Sequence, residues 1–76
     1  EKATYGEEKT LLALKRGAVQ TLYLSKNLDK TKIREFEDLA ENIGSETYLI
    51  SLETQEGDQF YNITKGIGAI LRFQIE

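Results

Sequence analysis

The chain has 76 residues, a net charge of −3, and neither cysteine nor histidine. Those absences exclude disulfides, thiolate or imidazole metal sites, and any nucleophile activated by histidine. A domain of this size buries only about 60% of the surface its unfolded chain exposes, so a single thin core is expected, and the acidic balance counts against nucleic acid as a direct ligand.

From Glu7 to Arg16 the chain is rich in strong helix formers, with acids first and bases last, as the helix dipole prefers. Leu11 and Leu14 share a face with Leu12 beside them, and Gly17 stands where helices stop in a left-handed residue. Ala18–Ser25 is β-branched and aromatic and predicts a strand. A turn over Lys26–Thr31 offers Asp29 or Thr31 as a cap for the helix that follows. That helix, Lys32–Ile43, has the clearest period. Ile33, Phe36, Leu39, Ala40 and Ile43 recur on one face, and Arg34, Glu35, Glu37, Asp38 and Glu41 take the other.

Gly44 ends the helix, and Glu46–Leu52 predicts a second strand. Thr54 can cap a third helix, which carries Phe60, Ile63 and Ile67 at helical spacing and an anomalous Gly57 in its first turn. Gly68–Ile75 predicts a third long strand, and "KATY" a possible short one. Helices alternating with strands imply crossovers. The expected fold is therefore α/β, a three-layer α/β/α sandwich about a mainly parallel sheet.

Three features invite a functional reading. The glycines of "TKGIGAILRF" enter a strand, whereas a phosphate loop leaves a strand and opens a helix, so nucleotide binding does not fit. Gly66 is expected to close a helix, and Gly68 to let the strand pass close to a neighbouring backbone. The acids Glu35, Glu37, Asp38 and Glu41 lie on a solvated helix face with basic neighbours, which does not describe a metal or acid–base site. Arg72 shares a strand face with Ile70 and Gln74. It reads either as a strand-end guanidinium in solvent or as a docking anchor in an apolar frame. The same alternation assigns Phe73 and Ile75 to the core. No catalytic constellation or cofactor site is recognisable.

"YGEEKTLLALKRGAVQTLYLSKNL" (Tyr5–Leu28) and "EGDQFYNITKGIGAILRF" (Glu56–Phe73) resemble the two ends of the C-terminal domain, domain 3, of archaeal and eukaryotic class-1 peptide chain release factors. The paralogous family is Pelota, the stalled-ribosome rescue factor, which shares the "AILRF" ending. The resemblance implies the α/β/α fold of kink-turn-binding ribosomal proteins. It also implies that residues 1–76 are a single domain excised from a longer cytoplasmic protein, since the chain lacks a starting methionine and an apolar run of the roughly 20 residues a membrane span needs.

In this family the stop-codon-reading loop and the Gly-Gly-Gln hydrolysis loop belong to preceding domains, so the piece is not itself an enzyme. The resemblance implies that it docks a translational GTPase, either a class-2 release factor or an archaeal elongation-factor-type GTPase. It is then expected to contact the ABC-type ribosome-recycling ATPase later and to meet the ribosome through its parent protein. The family's GTPase contact matches Ala69, Ile70, Leu71, Arg72 and Phe73, with Ile70 and Arg72 expected to make the contact and Phe73 to hold the strand. Release factors usually carry a minidomain between the first strand and the next helix. Here Leu28–Lys32 leaves no room for it, which Pelota also lacks. "SKNLD" and "QEG" favour the release factor, with Pelota the alternative and a kink-turn RNA-binding protein a more distant one.

Overall fold

In the computed structural model, which describes residues 2–73, the elements are β1 (Ala3–Tyr5), α1 (Glu7–Lys15), β2 (Val19–Ser25), α2 (Lys30–Asn42), β3 (Glu46–Ile50), α3 (Gln55–Thr64) and β4 (Ile67–Leu71). Their ends follow local chemistry. At the close of α1, Gly17 takes φ 68, its N–H donates to the Leu14 carbonyl, and the Ala18 N–H donates to Ala13. Gly44 and Ser45 repeat the pattern after α2, donating to Glu41 and Ala40. Both are paired-bond helix stops that need a left-handed residue, which glycine supplies at no steric cost. Thr54 caps α3 by accepting from the Gly57 N–H at 2.9 Å. At α2 the cap position is Asp29, without a side-chain bond, and the helix starts two residues earlier than its period indicates.

The four strands form one sheet in the order β1-β4-β2-β3. Only β2 and β3 pair in parallel; β4 runs antiparallel to both β1 and β2. The class is α/β as expected, but the sheet is mixed instead of mainly parallel. The reason lies in α3. Its first turn sits against Ser51, one residue beyond β3. Past its end, Gly66 accepts the Ser25 N–H at 2.9 Å, at the last residue of β2. The helix therefore crosses the ends of the strands and does not run back along them, so the chain enters β4 from that same end and pairs antiparallel.

Leu22, Leu24, Ile67, Ala69 and Leu71 project to one side of the sheet. There they form the core with Ala13 and Leu14 of α1 and Phe36 and Ala40 of α2. Each large side chain fully buried in this way contributes about 1.5–3 kcal/mol. α3 covers the other side, laying Phe60 over Gly68 and against Tyr23, with ring centroids 6.5 Å apart. A Cβ on Gly68 would lie 3.1 Å from the Phe60 ring. The close neighbour of Gly68 is thus an aromatic side chain and not the backbone expected. Gly57 is explained in the same terms, because its Cβ position is filled by the Ser51 carbonyl.

Two further expectations for the end of the chain change. Lys65, at φ 62, makes the left-handed turn after α3 ahead of Gly66. Ile67 belongs to β4 and is buried, while Ile63 points outward at 68% exposure. Of the strand predicted over Gly68–Ile75, β4 accounts for the part to Leu71, and Gln74 and Ile75 lie outside the described residues.

Candidate functional site

The residues singled out by sequence are the end of β4 and the bend after it. Ala69 pairs with Leu22 and Thr4, Ile70 with Thr21 and Ala3, and Leu71 with Val19. Strand alternation puts Ala69 and Leu71 into the core, at 3% and 6% exposure, and Ile70 on the opposite side at 40%. The face bearing Ile70 is the one α3 covers only in part. Tyr5, Gly68, Tyr23 and Tyr48 make one row across it, with Phe60 of α3 over Gly68 and Tyr23; Ala3, Ile70, Thr21 and Glu46 make the next row.

Arg72 does not continue the alternation. Its N–H donates to Ala18 at 2.7 Å, its Nε to the Val19 carbonyl at 3.1 Å, and its Nη2 to the Ile43 carbonyl at 3.1 Å. Ser45 Oγ donates to the same Val19 oxygen at 2.6 Å. The guanidinium thus ties the start of β2 to the C-terminal end of α2, where the helix dipole favours a cation. A guanidinium carries five N–H donors, so those not used here remain on an exposed side chain.

Phe73 is 46% exposed, contrary to its expected place in the core. Alternation holds only while the ladder continues, and β4 ends at Leu71, where the chain bends. The site therefore consists of two exposed apolar side chains, Ile70 and Phe73, flanking an arginine fixed by backbone carbonyls. Ala69 and Leu71 support them from below. Among the described residues no group of acids or other ligands is placed to hold a metal ion, and no helix is long and apolar enough to cross a membrane.

The eRF1 domain 3 family model matches residues 1–75. The chain belongs to the eRF1 domain 3 family. The peptide chain release factor subunit 1 of Pyrococcus abyssi is 34% identical over 119 residues, which take in 96% of this chain and 29% of that protein. The domain 3 chain is thus under a third of the length of that relative, and the aligned span exceeds its 76 residues, so the relative carries additional residues within the domain. Among solved structures, an archaeal translation termination factor aRF1 superposes with a TM-score of 0.86 at 28% identity, over 95% of this chain and 20% of that one. A chain of a ribosome-bound archaeal Pelota and ABCE1 model gives 0.83 at 26%, over 99% of this chain and 22% of that one.

Proposed function

We propose that this domain 3 is the partner-docking module of a class-1 release factor. Ile70, Arg72 and Phe73 meet a translational GTPase, and Ala69 and Leu71 shape the strand that presents them. The observation that carries this reading is the exposure of Ile70 and Phe73 at 40% and 46%, next to an arginine held by the Val19 and Ile43 carbonyls. Exposed apolar side chains around a pre-positioned arginine match the composition of interface centres. Fixing the arginine in advance lowers the entropic cost of docking.

The curated relatives named as release factor subunit 1 support termination as the process. The likeness to a Pelota bound with ABCE1 supports a second encounter, with the ABC-type recycling ATPase on the ribosome. Stop-codon reading and peptidyl-tRNA hydrolysis then reside in other domains of the parent, and this domain works in the cytoplasm without a catalytic role. One observation favours Pelota as the second reading: this chain lacks the additional residues that the release factors carry within the domain. The parent sequence separates the two, because a Gly-Gly-Gln motif upstream means termination and its absence means rescue.

The docking reading is tested by amide hydrogen exchange of the chain with and without the archaeal elongation-factor-type GTPase. Slower exchange over Ile70–Phe73 and the facing Ala18–Gln20 segment supports it. A footprint confined to α1 and α2 overturns it.

A further inference from the structure

We infer that the free edge of β3 and the groove between it and α2 form a second binding site, for an extended acidic peptide that adds a strand to the sheet. The backbone supplies the first reason. β3 is the last strand of the sheet. The Lys26 N–H donates to the Ile50 carbonyl, so Ile50, Tyr48 and Glu46 face β2, and Thr47 and Leu49 direct their N–H and C=O groups outward. Sheets usually blunt such an edge with charged side chains, proline or a bulge. "ETYLI" has only Glu46, at its first residue and on the side of the sheet away from Leu49, and its register with β2 is unbroken.

The second reason is the groove beside that edge, of about 410 Å³, lined by Lys26, Lys30, Ile33, Arg34, Glu37 and Leu49. It has an apolar floor, Ile33 and Leu49, and a rim with three cations and one carboxylate, on a chain whose net charge is −3. Leu49 pairs with Leu24 and so projects on the α2 side of the sheet. Alternate residues of an added strand would project there too, into the groove. Lys30 opens α2 and no acid lies in the first turn of that helix, although the dipole disfavours cations there. The one ion pair among the described residues engages Lys32 with Glu7 at 2.8 Å and leaves Lys30 without a carboxylate partner. The fold thus keeps a cation where helix stability argues against one, at the mouth of the groove.

These features select the occupant. An acidic peptide satisfies the cations, the apolar floor and the outward amides together. A nucleic acid would satisfy only the cations, and a second copy pairing edge to edge would bring two basic rims together. The site lies on the strand farthest from β1 and stands independently of the docking reading for Ile70–Phe73.

The test uses the 76-residue chain and a fluorescein-labelled ten-residue peptide in which pairs of glutamates alternate with pairs of valines, so that either face of the strand carries both residue types. Anisotropy should show binding that weakens as salt rises, and amide exchange at Thr47 and Leu49 should slow at least tenfold at saturation. Lys30→Glu with Arg34→Glu should weaken binding at least tenfold, while Lys30→Glu alone raises the melting temperature. Thr47→Pro removes an outward N–H and no hydrogen bond to β2, a change that an edge strand tolerates, and should also weaken binding. A glutamine-for-glutamate peptide that binds equally well would overturn the inference. So would unchanged exchange at Thr47 and Leu49, protection of those amides by self-association without peptide, or tighter binding of a single-stranded RNA that leaves them unprotected.

Discussion

The Val19 carbonyl oxygen accepts from both Arg72 Nε and Ser45 Oγ, and Arg72 reaches the Ile43 carbonyl as well. Three segments that are distant in sequence meet at this point, and only a planar fork spans them. Lysine has a single rotatable ammonium and cannot reproduce the geometry. Arg72→Lys and Arg72→Ala are both expected to destabilise the fold by about 1 kcal/mol in urea denaturation, the usual net value of a hydrogen bond. An unchanged midpoint would show the guanidinium to be free for docking alone.

Tyr48 gives a residue-scale pH signature. The negative charge of Glu46, and then the hydrogen bond that Tyr48 Oη donates to it at 3.2 Å, hold the phenol above its ordinary value of about 10. A raised folded value means that the contact stabilises the fold below about pH 10 and is lost as the pH rises through the Tyr48 value. Ring NMR should show Tyr48 ionising later than a free tyrosine, and Glu46→Gln should bring it back. Identical titrations in the two proteins would remove the contact.

At the scale of elements, α3 determines the topology. Its start is fixed by Thr54 Oγ1, which accepts the Gly57 N–H, and by the Ser51 carbonyl filling the space beside Gly57. Thr54→Ala is expected to cost about 1 kcal/mol, the usual value of an N-cap. The loss should appear as faster amide exchange in the first turn of α3, with α2 unaffected.

The cap was legible in the sequence because capping is local, and so were the glycine stops at Gly17 and Gly44. The face of α2 that carries Phe36 and Ala40 was legible because helical period reports burial. The direction of β4 was not, because whether a helix runs along strands or across their ends depends on tertiary packing, and alternation of elements reads the same in both cases. The exposure of Phe73 was missed for a related reason: a period-2 pattern says nothing about where a ladder stops. Arg72 was recognised as unusual, but its carbonyl partners lie 53 and 29 positions away in sequence, and no local signal points to them. The site itself was found chiefly through family resemblance, and the structure then divided its five residues into two that support and three that are exposed.

At the scale of the molecule, one face of the sheet is closed by α1 and α2 and the other is closed only in part by α3. A chain this short has one core to spare. It spends that core on fixing the positions of β2 and β4, leaving the end of β4 as a firm platform. Rigid support under exposed apolar side chains is the arrangement that favours docking. In the docking we propose, Ile70 and Phe73 are the energetic anchors for a translational GTPase. Titration calorimetry of the chain and its Ile70→Ser, Phe73→Ser double variant against that GTPase tests it directly. Docking through this site predicts a loss of more than about 2 kcal/mol, roughly thirtyfold in affinity, with circular dichroism showing both proteins folded at the titration temperature. Equal affinity for the two proteins would contradict it.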